Sequence, residues 1–237
     1  MSEDILSEAE FAALVALDTP TVCNALEIVA PNRRAVGFTT KQLVCPRPGL
    51  PPIVGYARTA RMRAMTPALP EAVDRIAYYE YVAAGADGAQ SKTPRIIVIE
   101  DLDSSPGFGA FWGEVNTNIH KAIGCLGVIT NGSIRDLDDC AEGFQMLAGN
   151  VGPSHAHVHI TDFGGDIIVH GMAVSSGDLI HADQHGAVII PHEVARDVPA
   201  AAAQIAAREA IVLNACKAQG AGIAEVKAAL SKAAEYH

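Results

Sequence analysis

The spacing of apolar residues predicts two short helices at the amino terminus, within residues 7–29. Apolar positions recur at helical intervals from Ser7 to about Leu17. Asp18-Thr19-Pro20 then supplies a capping side chain and a first-turn proline, which begin a second helix. Residues 33–52 show no sustained period and are rich in Pro and Gly, so we expect a loop with room for one brief strand.

Short apolar runs alternate with helical patterns in the middle of the chain. The runs predict buried strands over 53–62, 95–100 and 126–130. The helical patterns cover 69–84 and 111–123. This alternation is typical of strand–helix–strand units with parallel strands. Asn131-Gly132 predicts a tight turn after the third strand, which directs residues 133–136 to one edge of the sheet.

The last third of the chain begins with short β-like runs between glycine-rich turns and ends in two alanine-rich helices. The predicted strands cover 156–160, 167–169, 179–181 and 187–190. The predicted helices cover 194–215 and 223–234. Since no repeat or linker divides the sequence, we expect one α/β domain over 1–237, with a mixed sheet core between amino-terminal helices at 7–29 and carboxyl-terminal helices at 194–234.

Charge and cysteine content limit the partners and the cellular compartment that we expect for this protein. The net charge of −10 repels phosphate backbones, so nucleic acid is not expected as a partner. Five scattered cysteines without a CxxC pair indicate neither a disulfide framework nor a zinc knuckle, and favour a cytoplasmic setting. The acidic amino terminus does not resemble a secretory signal, and no apolar run is long enough to span a bilayer, so no membrane contact is expected.

The most informative segment is Gly113-Glu114, followed after 20 residues by Arg135-Asp136 and then by Asp139. The spacing spans one predicted helix and one strand, so the start of the helix and the end of the strand can meet. Three carboxylates and one guanidinium would then share a small volume.

These residue types suit a metal-assisted anion site. Carboxylates of Glu114, Asp136 or Asp139 match the hard-oxygen preference of Mg²⁺ or Mn²⁺. Arg135 can grip a carboxylate through two parallel hydrogen bonds, and the free N–H groups near Val115 and Asn116 offer a second anion-binding surface. On residue types alone, a structural ion pair between Arg135 and Asp136 is the more common reason for such a turn.

Three stretches carry a family resemblance: WGE, NGSIRDLDD and SSGDLIHADQHGAVIIP, with 20 residues between Glu114 of the first stretch and Arg135 of the second. From about Thr19 to Pro191 the chain resembles the regulator of ribonuclease activity A (RraA) and the 4-hydroxy-4-methyl-2-oxoglutarate aldolases. The resemblance implies an RraA-like fold of the swivelling β/β/α type. It also implies a homotrimer or homohexamer.

The resemblance assigns roles to the residues of the segment. Asp136 would anchor the divalent metal, partly through waters, and Arg135 would hold the pyruvyl unit and stabilise its enolate. The amides near Val115 and Asn116 would hold the substrate carboxylate. Asp139 supplies the acidic residue that the aldolases add three positions after the second Asp. Glu114 stands where Asp is usual, so its contact with the metal can be direct or through water.

The function implied is a class II pyruvate aldolase of the 4-hydroxy-4-methyl-2-oxoglutarate/4-carboxy-4-hydroxy-2-oxoadipate type, with oxaloacetate decarboxylase activity. Its catalytic residues would be Arg135, Glu114 and Asp139. A Mg²⁺ or Mn²⁺ ion would act as Lewis acid on a small 2-oxo acid, without a lysine Schiff base. The alternative is a non-catalytic regulator that binds a ribonuclease.

Other motifs have structural interpretations beside functional ones. His155, His157 and His159 alternate, so on a strand they would share one face, either as a zinc or transition-metal site or, more commonly, near a subunit contact or the distal end of a substrate. Residues 176–186 are expected to join two strands through demanding turns. By resemblance, Glu27 would reach a neighbouring subunit's site.

Overall fold

The structure is a computed structural model, and it describes residues 5–69, 73–84 and 93–235. The helices are α1 Glu8–Val15, α2 Thr19–Val29, α3 Arg75–Ala83, α4 Glu114–Ala122, α5 Val198–Lys217 and α6 Ile223–Ala234, with 3₁₀ turns at Pro31–Arg33 and His192–Val194. The strands are β1 Ile53–Arg63, β2 Arg95–Asp101, β3 Ala110–Trp112, β4 Cys125–Thr130, β5 Ser133–Ile134, β6 Gln145–Leu147, β7 Asn150–Val151, β8 His159–Phe163, β9 Ile167–Val169, β10 Met172–Val174, β11 Leu179–Asp183 and β12 Gly186–Ile190.

The two amino-terminal helices begin at the capping residues that the sequence indicated. Ser7 and Glu10 form a reciprocal capping box at the start of α1. Asp18 caps α2 by accepting a hydrogen bond from the Thr21 N–H, and Pro20 occupies the first turn. The prediction of two short helices within 7–29 is confirmed.

The main sheet has seven strands and mixed directions. Its order is β12-β11-β1-β2-β4-β6, and β8 pairs with the far end of β1. Strands β1, β2, β4 and β6 run parallel, whereas β8, β11 and β12 are antiparallel to their neighbours. The predicted strand–helix–strand units and the mixed sheet flanked by helices are confirmed.

Burial on both faces of β2 explains why its sequence reads as a continuous apolar run. Ile97 and Ile99 pack in the cluster that contains Tyr78 and Trp112. Ile96 and Val98, which alternate with them along the strand, pack on the other face of the sheet in a cluster that includes residues of β9 and β10. A third cluster joins β11 and β12 to α1, α2 and α5.

Several predicted boundaries are wrong. Phe111 and Trp112 are not helical: they belong to β3, which forms a separate small sheet with β5 and β7. The strand expected over 156–160 starts only at His159, because Ala156 has a φ of +48° and turns the chain. The helix expected from Val194 starts at Val198, after a 3₁₀ turn, where Pro199 fits the first helical turn.

The helix expected over 69–84 is shorter than predicted. It begins at Arg75, because Asp74 caps it by accepting a hydrogen bond from the Ile76 N–H at 3.0 Å. Residues 70–72 of the expected helix lie outside the described residues.

Within the described part of the chain, no single helix is long and apolar enough to cross a membrane. Helices α1 and α2 reach that length and composition only as a pair, and they are bent by 111° relative to each other.

Candidate functional site

The Gly113-Glu114 and Arg135-Asp136 segments lie side by side because β3 and β5 are parallel neighbours. Trp112 pairs with Ile134, and the Arg135 N–H donates to the Trp112 carbonyl at 2.8 Å. Immediately after this pair, α4 begins at Glu114, whose N–H lies 3.4 Å from Oδ2 of Asp136. The predicted meeting of these two segments is therefore present, although a strand pair produces it instead of a long helix.

Asp136 directs its carboxylate at the start of α4. Its φ of +52° lies in the left-handed region, which Asp tolerates better than most residues. A Cβ on Gly113 would lie only 2.5 Å from Oδ2 of Asp136 and 3.1 Å from Cγ of Arg135. Gly113 thus leaves the space that this carboxylate occupies.

Arg135 and Asp136 form an ion pair that contributes little to stability. Nε of Arg135 lies 3.5 Å from Oδ2 of Asp136, and the two side chains are 35% and 38% exposed. Half-exposed pairs of this kind contribute about 0–1 kcal/mol. Among the described residues, neither Nη atom of Arg135 has an acceptor, so the planar end of the guanidinium is available to a ligand.

A cavity of about 600 Å³ lies beside this pair. Arg135 and the first turn of α4, with Gly113, Val115 and Asn116, form part of its wall. The first N–H groups of a helix have no intrahelical acceptor, so this wall can bind an anion. Although the chain carries a net charge of −10, none of the described lining residues is acidic.

The three carboxylates expected to converge do not form a shared ligand set. Glu114, Asp136 and Asp139 are exposed, and Asp139 follows Asp136 in a turn in which its N–H donates to the Asp136 carbonyl. Within the ranges that the structure describes, no group of three His, Cys, Asp or Glu side chains could hold a metal ion. This finding also opposes a metal site made by His155, His157 and His159.

Arg47, which the sequence did not suggest, holds the loop that follows Asp136. Its guanidinium donates to the carbonyls of Ala141 and Cys140 at 2.7 Å and to that of Leu137 at 3.1 Å. These partners are 90 residues or more away in sequence, so no local pattern could reveal them. From the other side, Oγ1 of Thr117 accepts from the Ala141 N–H at 3.0 Å and ties the loop to α4.

We expect Arg47→Ala to lower the free energy of unfolding by about 2 kcal/mol, because it leaves three carbonyls of a partly buried loop without their charged donor. Urea denaturation monitored by circular dichroism measures the loss. Arg34→Ala is the matched control, since Arg34 is 74% exposed and makes only a surface ion pair with Glu27 at 3.1 Å. Equal stability of the two variants would show that Arg47 does not hold the loop.

A buried histidine of α4, His120, links this helix to Tyr78 of α3. Nδ1 of His120 donates to the Asn116 carbonyl at 2.7 Å, so Nε2 accepts from the Tyr78 hydroxyl at 2.9 Å. Burial lowers the pKa of His120 to about 4 and raises that of Tyr78 well above its usual value. The imidazole ring, 4.6 Å from the Trp112 ring, is therefore neutral at physiological pH.

Residues 176–186 have the structural role that we expected, and they also anchor the amino-terminal helices. Asp183 accepts hydrogen bonds from the backbone N–H groups of Thr19 and His185 at 2.9 and 2.8 Å. Burial alone would raise the pKa of Asp183, but these bonds outweigh it and the pKa is lowered. His181 bridges the Thr19 hydroxyl and the Leu17 carbonyl, and its burial lowers its pKa.

The RraA-like family model, described as Aldolase/RraA, matches residues 19–189. The chain belongs to the RraA-like family. The match spans both the Arg135-Asp136 site and the 176–186 turn, as the resemblance implied. No curated protein matches the chain significantly.

Solved structures share the RraA-like fold over most of their length. An uncharacterized protein from Pseudomonas syringae pv. tomato is 19% identical, with a TM-score of 0.69 and coverage of 96% of this chain and 95% of that one. RraAS2 from Streptomyces coelicolor, an unusual member of the RNase ES inhibitor RraA protein family, is 20% identical, with a TM-score of 0.66 and coverage of 86% and 95%. The RNA-processing inhibitor RraA from Thermus is 18% identical, with a TM-score of 0.50 and coverage of 70% and 90%.

Proposed function

We propose that this protein is a divalent-metal-dependent lyase that cleaves or decarboxylates a small 2-oxo acid. The observation that carries the proposal is the cavity beside Arg135, whose wall combines an available guanidinium with the amino terminus of α4 and has no described acidic residue. Such a cavity favours a small anion.

Two groups of this chain would orient the substrate. The amides of Val115 and Asn116 would take its carboxylate, and the guanidinium of Arg135 would take the adjacent 2-oxo oxygen. Carbon–carbon cleavage and decarboxylation both place negative charge on that oxygen, and a fixed guanidinium stabilises charge that develops there. The same residues therefore serve the 4-hydroxy-4-methyl-2-oxoglutarate type of aldol cleavage and the decarboxylation of oxaloacetate.

The residues around Asp136 fit a hydrated Mg²⁺ or Mn²⁺ ion. Mg²⁺ keeps several waters and is usually bound through one or two carboxylates together with substrate oxygens, so it does not require a cage of three protein ligands. Asp136, in the space left by Gly113, would hold the ion, and Glu114 and Asp139 would hold its waters. When bound, the cation would supply Lewis-acid polarisation of the 2-oxo group.

Pyruvate release tests this function. We expect the protein to release pyruvate from oxaloacetate and from 4-hydroxy-4-methyl-2-oxoglutarate with Mg²⁺, and to stop when the metal is chelated. The control is the same Mg²⁺ concentration without protein, since the cation alone promotes decarboxylation. A regulator that only binds a ribonuclease has no reason to turn over either substrate, so an inactive protein would contradict the proposal.

Gly113→Ala should weaken Mg²⁺ binding about tenfold, because the new Cβ would displace the Asp136 carboxylate from its position. Isothermal titration with Mg²⁺ measures the change in affinity. Gly49→Ala is the matched control, since a Cβ there meets nothing within 4 Å. Unchanged Mg²⁺ affinity in Gly113→Ala would contradict the placement of the metal at Asp136.

We expect a homotrimer, or a homohexamer made of two trimers, at micromolar concentration. Val115, which lines the cavity, is 68% exposed, and Leu69 and Ile76, which follow the lining residues Ala68 and Arg75 in sequence, are 74% and 60% exposed. Exposed apolar surface often marks a subunit contact. Sedimentation velocity measures the mass, and a monomer would contradict a site shared between subunits.

A further inference from the structure

The loop that carries His155 and His157, together with His159 at the start of β8, forms another wall of the cavity beside Arg135. We call these three residues the histidine wall. Two of them are exposed and none belongs to the Arg135-Asp136 pair, so the proposed chemistry leaves them without a role.

The fold holds the histidine wall in place. The His157 N–H donates to the Ala64 carbonyl at 3.1 Å, and Ala156 keeps a left-handed φ of +48°. A Cβ on Gly109 would lie 2.7 Å from the His155 carbonyl oxygen, so the loop packs directly against the backbone before β3. A turn kept in a sparsely populated conformation by its surroundings is often part of a binding site.

The ring orientation of two histidines is set by backbone carbonyls. Nδ1 of His155 lies 2.7 Å from the Ala156 carbonyl oxygen, and Nδ1 of His159 lies 2.7 Å from that of His157. Because a carbonyl only accepts, Nδ1 carries the hydrogen, and Nε2 of the neutral ring has a free lone pair. A proton on Nε2 converts it into a charged donor that a carboxylate can accept from.

Arg75 adds a positive charge to the same cavity. It is the first residue of α3, where the helix dipole disfavours a cation, so helix stability does not explain its type. Arg75 and Arg135 are the charged described residues that line the cavity with the histidine wall.

We propose that the histidine wall and Arg75 form a second anion subsite, which binds a distal carboxylate of the substrate and takes up a proton on histidine Nε2 as it does so. The inference rests on the proposed function and deepens it, because it assigns the residues that would hold the second carboxylate of a 2-oxo diacid. The proton comes from the buffer and remains on the imidazole while the diacid is bound.

The test compares two ligands that differ only at the distal end, 2-oxoglutarate and 2-oxopentanoate. Isothermal titration with Mg²⁺, in two buffers of different ionisation enthalpy, gives both affinity and proton uptake. We expect 2-oxoglutarate to bind at least about tenfold more tightly and to take up a proton, whereas 2-oxopentanoate takes up none.

Asparagine substitutions isolate the role of Nε2. In His155→Asn and His159→Asn, the Asn amide can keep the local hydrogen bond of Nδ1, and in these two changes and His157→Asn it has no counterpart of Nε2. We expect the three changes together to abolish proton uptake and, with Arg75→Ala, to remove the advantage of 2-oxoglutarate. His185→Asn and Arg208→Ala, both exposed and absent from the cavity lining, are the matched controls.

The outcomes separate this inference from the proposed function. Three results would overturn the subsite and leave the Arg135 site intact. The first is tighter binding of 2-oxoglutarate that survives all four substitutions, the second is equal binding of the two ligands, and the third is binding of 2-oxoglutarate without proton uptake. If neither ligand bound the unmodified protein, the proposed function and the subsite would both be wrong.

Discussion

Arg135→Lys is expected to lower turnover about a hundredfold, equivalent to about 3 kcal/mol of transition-state stabilisation, while the protein stays folded. Lysine keeps the charge but not the planar guanidinium, whose N–H groups would donate to the 2-oxo oxygen from fixed positions. The ion pair with Asp136 involves Nε at 3.5 Å and is half exposed, so its loss should change the free energy of unfolding by less than about 1 kcal/mol.

Pyruvate release with Mg²⁺ measures the activity of Arg135→Lys, and thermal unfolding measures its stability. Arg34→Lys is the matched control, because it makes the same replacement in an exposed surface pair. Turnover like that of the unmodified protein would show that charge alone suffices at position 135. An unfolded variant would show that Arg135 is structural.

The sequence predicted the centre of the sheet well because its strands are buried on both faces. Arg95–Asp101 reads as one apolar run bounded by Pro94 and acidic residues, and such runs between helical patterns indicate parallel strands. The amino-terminal helices were predictable for a different reason, since Ser7 and Asp18 cap them through local hydrogen bonds.

The short strands around the site were not predictable. Phe111 and Trp112 form part of a three-residue strand that pairs with residues more than 20 positions away, and three residues are too few to show a period. The meeting of Glu114 with Asp136 was still predicted, because the motif spacing and the family resemblance did not depend on how residues 111–113 fold. Arg47 was not predictable either, because its guanidinium binds carbonyls of the loop after Asp136 that lie 90 or more positions away in sequence.

The histidine wall shows how a turn can resemble a strand. His155, His157 and His159 alternate, but Ala156 between them adopts a left-handed conformation that usually favours Gly, Asn or Asp. Since Ala gives no turn signal, the sequence predicted a strand with three histidines on one face. In our proposal, the histidine wall binds a carboxylate through the Nε2 atoms of its separate imidazole rings, without a metal ion shared between the rings.

Acid should destabilise the protein through His120, a fully buried residue of α4. Its folded-state pKa is lowered from 6.5 to about 4 because burial disfavours the imidazolium ion. Between these two values the unfolded chain binds a proton that the folded chain does not, so stability falls as the pH falls. Above about pH 6.5, His120 therefore leaves the free energy of unfolding unchanged, and that free energy falls as the pH drops from 6.5 towards 4.

We expect the loss from His120 to be about 2 kcal/mol between pH 7.5 and 5.0 and about 3 kcal/mol by pH 4, at 1.36 kcal/mol per pKa unit. Urea denaturation at fixed protein concentration measures the profile. His120→Gln retains an acceptor for the Tyr78 hydroxyl but cannot titrate, so its profile should be flatter over this range. Part of the slope should remain, because burial also lowers the pKa of His181.

Tyr78→Phe separates burial from hydrogen bonding as the cause of the acid sensitivity. The substitution removes the hydroxyl that donates to Nε2 of His120 at 2.9 Å but leaves an aromatic ring in the same place. Because burial, and not the tyrosine, lowers the pKa of His120, the variant should be less stable at pH 7.5 yet keep the slope between pH 7.5 and 5.0. A His120→Gln profile as steep as that of the unmodified protein would place the acid-sensitive group elsewhere.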